Sequence, residues 1–186
     1  MPLNPNERLE IKNRLKLNPL MGDIIKLELA QIEDASFILS LRLDSEKNKY
    51  LSETSNDLSK QEQFIEKSLS SPDEFYFIIK NKNTNEKLGT IRLYDMRDDS
   101  FCWGSWIIVN HRPSGTAMDS AKLIYHLGFD VLEFKQSHFD VRNENKKVTD
   151  FHLRTGATII SQNEMDTFFI YSKQNFISFI IGQNNG

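Results

Sequence analysis

Trp106-Ile107-Ile108-Val109-Asn110-His111-Arg112-Pro113-Ser114-Gly115-Thr116-Ala117 is where an apolar, strand-like run ends, a turn-prone stretch follows and a small residue opens a helix. The first turn of a helix carries unpaired backbone N–H groups and the positive end of its dipole, so phosphate oxygens find donors there without many charged side chains. Gly115 lets the backbone approach an anion closely, Ala117 does not crowd it, and Pro113 removes one N–H from the loop. Taken alone, the loop reads equally well as a Pro-Gly surface turn before an ordinary helix. The segments on either side decide.

Upstream, Ile24 to Leu29 reads as a strand, and Asp34 then offers an N-cap to a helix with Phe37, Ile38 and Leu41 on one face. Asp44 to Leu58 is polar and loop-like. Ser59 and Glu62 have capping-box spacing ahead of Phe64, Ile65 and Leu69, which predicts a second helix. Phe75 to Lys80, Lys87 to Met96 and Phe101 to Val109 are strand-like runs separated by short polar turns, an antiparallel meander. Within the last run, Gly104-Ser105 fits a bulge that splays the strand from its neighbour.

Downstream, Ala117, Ala121, Ile124, Leu127 and Val131 recur at helical spacing to about Leu132. Ser137 to Val141 resumes strand character, Asn145 to Thr155 reads as a helix closed by Gly156, and Thr158 to Ile160 and Thr167 to Tyr171 supply two last strands. The order β-α-α-β-β-β-α-β-α-β-β is an α+β fold: a central mixed, mostly antiparallel sheet flanked by helices. Residues 1–22, rich in proline and asparagine, read as an N-terminal extension outside the core, although a short helix from Asn6 to Leu17 can be drawn. Residues 23–186 then form a single domain. The apolar tail from Phe176 to Ile181 has no clear place.

The bulk numbers agree with one globular unit: 186 residues, 39% hydrophobic and 26% charged. A net charge of -3 without a long basic stripe argues against nucleic acid as the main ligand. No apolar run reaches the roughly 18 residues of a membrane span, and the first twenty residues lack the apolar centre of a signal peptide, so a cytoplasmic location is expected. The lone Cys102 lies in an apolar segment and reads as a buried small hydrophobe before a nucleophile. The four histidines have no metal-site spacing.

The loop pattern of Arg112, Gly115 and Ala117, set in this order of elements, resembles the GCN5-related N-acetyltransferase (GNAT) superfamily, whose pyrophosphate loop reads Q/R-x-x-G-x-G/A and joins its fourth strand to its third helix. The resemblance covers roughly residues 24 to 172. It implies acetyl-CoA as cosubstrate, without metal, held by Ile107, Ile108, Val109, Arg112, Gly115, Thr116, Ala117 and Asn145. A second segment, Asp140-Val141-Arg142 through Gly156-Ala157, is similar without a gap to the E-V-R-x-x-N-x-x-A-x-x-x-Y-x-x-x-G-F pattern of ribosomal-protein acetyltransferases. Asp140 stands at the acid, Asn145 at the asparagine and His152 at the tyrosine.

An alkyl ammonium must lose a proton before it attacks a thioester, and the departing thiolate leaves better as a thiol, so a base and an acid are both useful. Asp140 is the candidate to take the amine proton, directly or through water. His152, expected to titrate near neutrality, is the candidate acid or the base itself. The residue replacing tyrosine leaves that assignment open. Asn145 is also the expected N-cap of its helix, and in the family a partner of the pantetheine arm.

For the acceptor, the segments FCWGSWII and HFDVRNENKKVTDFH look like acetyltransferases of nucleotide-linked amino sugars, which implies a small-molecule primary amine. The alternatives are a protein N-terminus, as in the ribosomal-protein branch, and a non-catalytic CoA-binding domain. Neither nucleic acid nor membrane is expected as a partner, and the chain would act as a monomer or homodimer. The loop carrying Lys47, Lys49 and Tyr50 lies where the family's acceptor enters.

Overall fold

The computed structural model describes residues 1–44, 46–47, 49 and 54–184. Among them, eight strands form one sheet in the order β1-β2-β3-β4-β5-β6-β8-β7. The strands are β1 (Leu20–Met21), β2 (Ile25–Leu29), β3 (Phe75–Asn81), β4 (Lys87–Arg97), β5 (Ser100–Ile108), β6 (Gln136–Arg142), β7 (Thr158–Gln162) and β8 (Asp166–Ser172). Neighbours pair antiparallel except β5 and β6, which run parallel. A parallel pair needs a crossover, and α4 (Thr116–His126), continued by a π-helical turn Leu127–Val131, supplies it.

The expected α+β order is present, with helices α2 (Ala35–Leu43), α3 (Leu58–Ser70) and α5 (Lys146–Thr155) in the predicted places. The middle of the sheet is buried on both faces. Along β3, Phe75, Phe77 and Ile79 enter the main core, whereas Tyr76 and Ile78 turn to a second cluster with Ala35, Ile38 and Ile65 of α2 and α3. Alternation with period two sends one strand's side chains to two cores.

Residues 1–22 are not outside the core. Helix α1 (Pro5–Leu17) is capped by Asn4, whose side chain accepts from Asn6 and Glu7, and it buries Ile11 and Leu15 in the main cluster. Between them Lys12 is only 1% exposed, and its Nζ donates to the carbonyls of Ser68, Ser71 and Glu74. Burial pulls its pKa down to about 8. A lysine on the buried face disguises that face as polar in sequence, because the amine is satisfied by carbonyls remote along the chain.

Two other local readings change. The cap of α3 is Asp57, accepting from the Lys60 N–H, and not Ser59. Asp34 does not cap α2 by its side chain; it takes the Gln31 N–H in a capping box of the 3-10 turn Ile32–Asp34 and pairs with Lys87. The unplaced tail is helix α6 (Lys173–Asn184), whose Phe176 packs 5.6 Å from both Tyr125 and Phe129.

Candidate active site

Strands β5 and β6 pair only at Ser100–Gln136 and Phe101–Ser137 and then diverge. The cause lies on the other edge of β5. Opposite β4, Arg92 pairs with Gly104 but Thr90 pairs with Ile107, so a bulge is present at Ser105 and Trp106, one residue on from the expected Gly104-Ser105. Ser105 has φ 47°, and its carbonyl is held by the buried Thr90 hydroxyl at 2.7 Å. Gly89 is needed beside it, since a Cβ there would lie 2.1 Å from the Ile107 carbonyl oxygen. A bulge bends its strand. The divergence leaves a cleft of about 380 Å3 between β5, β6 and the start of α5.

Asp140, Asn145 and His152 all line this cleft. Asp140 is exposed on β6. Asn145 caps α5 by accepting from the Val148 N–H, as expected. His152 is 4% exposed and lies 4.2 Å from the Phe139 ring, with Trp103, Phe151 and Phe169 around it. Its Nδ1 finds no hydrogen-bond partner.

Burial without a compensating charge drives the His152 pKa down to about 3. The expectation that it titrates near neutrality is therefore corrected: the imidazole is neutral at pH 7. Burial also pushes the Cys102 thiol up to about 11, so it stays protonated, in keeping with the buried-hydrophobe reading.

At the far end of β5, Ile107 is buried while Ile108 and Val109 are partly exposed, and the chain turns through 110–115 into α4. Gly115 is the N-cap with φ 85°, and a Cβ on it would meet the Ile24 side chain at 2.7 Å. No side chain caps this end. The Thr116 N–H turns back to Pro113 O at 3.3 Å, and Asp119 is the first to bond four residues back, to Gly115 at 2.9 Å. The N–H groups of Ala117 and Met118 are thus left without a helical acceptor, which fits a diphosphate.

Side chains in the loop organise it. Arg112 donates to the carbonyls of Val109 at 2.8 Å and Asn110 at 3.3 Å, and the Thr116 hydroxyl donates to Pro113 O at 2.8 Å. Asp119, buried in the first turn of α4, accepts the N–H groups of Asp23, Ile24 and Ile25, fastening the helix start to β2.

Three cleft residues were not foreseen: Arg42 on α2, and Arg92 and Tyr94 on β4. The Arg92 guanidinium lies 4.0 Å over the Tyr94 ring and bonds Glu74 at 2.9 Å. Burial raises the Tyr94 pKa, keeping the phenol protonated. The signal was the Arg-x-Tyr alternation, which puts both on one face of β4. Of the expected acceptor loop, Lys47 lines the cleft and pairs with Asp44, and Tyr50 lies outside the described residues. Among the described residues no group of three or more metal-ligating side chains occurs, and no helix is long and apolar enough to cross a membrane.

Residues 25–158 match the acetyltransferase (GNAT) domain family. Among solved structures, the apo form of FdhC, a nucleotide-linked sugar GNAT, is 36% identical, with 89% of this chain and 96% of that chain covered and a TM-score of 0.81. A GCN5-related N-acetyltransferase from Brucella melitensis (17% identical, 87% and 81% covered, TM-score 0.72) and a variant of the spermidine N-acetyltransferase from Vibrio cholerae (14%, 84% and 98%, TM-score 0.71) share the fold. Among curated proteins none matches. The splayed parallel strands, the uncapped helix start beside them and the family match agree: this chain belongs to the GNAT acetyltransferases.

Proposed function

We propose that the protein transfers the acetyl group of acetyl-CoA to the primary amine of a nucleotide-linked amino sugar. The observation that carries this reading is the cleft between β5 and β6, which is lined by Asp140 and His152 together with the arginines Arg42 and Arg92. A sugar amine needs polar walls, and the phosphates attached to the sugar need fixed cations. The 36% identity with a nucleotide-linked sugar GNAT across 89% of the chain points the same way.

The thioester supplies an activated acetyl group; the protein supplies position and proton management. The uncapped start of α4, with Gly115, Thr116 and Ala117, takes the pyrophosphate. The edges of Ile107, Ile108 and Val109 receive the pantetheine arm, and Asn145 faces it from across the cleft. Asp140 accepts the ammonium proton, directly or through one water, which frees the nitrogen lone pair to attack the carbonyl carbon. The C–S bond then breaks as the tetrahedral intermediate collapses, and the sulfur takes the second proton lost by the attacking nitrogen, directly or through water, while the proton on Asp140 passes to solvent. His152, neutral in its apolar setting, donates an N–H hydrogen bond toward the reacting oxygen or sulfur without changing charge.

The test is acetyl transfer from acetyl-CoA, read as thiol release, to nucleotide-linked amino sugars, free amino sugars, polyamines and peptides beginning with a free amine. Nucleotide-linked sugars should exceed the others in kcat/KM by at least tenfold. Equal or better turnover of peptides or polyamines would overturn the reading.

A further inference from the structure

Beside the cleft just described lies a second, of about 300 Å3, between α2, α3 and strands β3 and β4. The two share Arg42 and Arg92 in their walls. We propose that this second cleft is the nucleoside subsite of the acceptor, with the diphosphate at the shared arginines and the base against Phe64. The assignment rests on the nucleotide-linked sugar reading and deepens it.

Connectivity orders the parts. In a nucleotide-linked sugar the amine-bearing ring joins the diphosphate, which joins the nucleoside. With the amine beside Asp140 in the first cleft, the next groups fall at the boundary that Arg42 and Arg92 form, and the nucleoside beyond it. At about 300 Å3 the second cleft is at the low end of small-molecule sites, which run roughly 300–1,000 Å3, a size suited to part of a ligand.

The walls have matching chemistry. Arg92 is pre-positioned: its guanidinium is held by Glu74 and lies 4.0 Å from the Tyr94 ring centroid and 5.2 Å from that of Phe64. Phe64 is 38% exposed although it stands edge-to-face with Tyr76 at 5.9 Å, so part of its ring surface faces solvent. An exposed aromatic beside a fixed cation is a stacking platform for a base.

Lys60 adds a cation to the lining, against the one carboxylate of Asp57, which caps α3.

Binding of UDP and of dTDP to the full chain, measured by calorimetry with and without acetyl-CoA, tests this. A nucleoside diphosphate should bind the wild type in competition with the acceptor but not with acetyl-CoA. Phe64→Ala should weaken it roughly 5- to 150-fold, the worth of one base–aromatic stack. Lys60→Glu, at an exposed position, should weaken it too, and both variants should keep wild-type affinity for acetyl-CoA. If both bind nucleoside diphosphates as the wild type does, the subsite is elsewhere and the nucleotide-sugar reading survives. If the wild type binds neither nucleotide but acetylates amines lacking one, both readings fall.

Discussion

Replacing Ala117 by Glu separates a phosphate-binding helix start from an ordinary surface turn, because the two readings assign opposite effects to one carboxylate. Ala117 follows the N-cap Gly115 by two residues, in a first turn with no side-chain cap and with its own N–H unpaired. A negative charge here favours the fold, since the helix dipole rewards it by about 0.3–1 kcal/mol, which offsets the few tenths by which Glu trails Ala in helix propensity. Stability should stay within about 0.5 kcal/mol of wild type. A diphosphate at the same N–H groups meets the carboxylate at close range. Coulomb's law gives about 1 kcal/mol per charge pair at 4 Å in water and about 4 at an effective dielectric of 20, and a diphosphate carries more than one charge. Acetyl-CoA affinity should therefore fall at least about 30-fold, measured by calorimetry, while urea unfolding scarcely moves. Affinity within threefold of wild type would refute the placement. Gly115 is the poorer target, since its φ of 85° and the close Ile24 side chain would strain any substitution.

The buried His152 should make the fold acid-sensitive. With its pKa at about 3 in the fold against roughly 6.5 unfolded, the unfolded chain takes the proton first, so its contribution is whole above about pH 6.5 and is lost as pH falls toward 3, about 2 kcal/mol by pH 5. His152→Phe should flatten stability against pH across this window, and parallel curves would sink the account. Asp119→Ala removes the acceptor of three backbone N–H groups and should cost about 2–4 kcal/mol in urea unfolding, with Asn at the same position costing less. Lys12→Met strands the carbonyls of Ser68, Ser71 and Glu74 and should cost a similar amount. A loss below about 0.5 kcal/mol would mean that α1 is held by Ile11 and Leu15 alone.

What could be read from the chain was local. Strands β3 to β5 announce themselves through β-branched and aromatic runs between polar turns, α4 through its apolar spacing, and the bulge through Gly104-Ser105. Three features depended on distant partners and were not readable. Helix α1 belongs to the core through a lysine whose acceptors lie 56 to 62 positions away, so its buried stripe carries a charge. Arg92 and Tyr94 follow the pattern of a solvent-facing strand surface, but α2 and α3 turn that surface into a cleft wall. The charge state of His152 is set by Phe139, Trp103 and Phe169 from three different strands.

The two halves of the site depend on one irregularity. Thr90 grips the Ser105 carbonyl and the bulge turns β5 away from β6, so the same distortion opens the cleft for Asp140 and His152 and aims the end of β5 at the uncapped start of α4. Asp119 then fixes that start to β2 rather than to β5. The start of α4 is thus anchored to β2 as well as, through the chain itself, to β5. In the proposed scheme the donor is met mainly by backbone, at a bulge and a helix end, whereas the acceptor is met by side chains, among them Arg92 on β4, the same strand whose Thr90 sets the bulge.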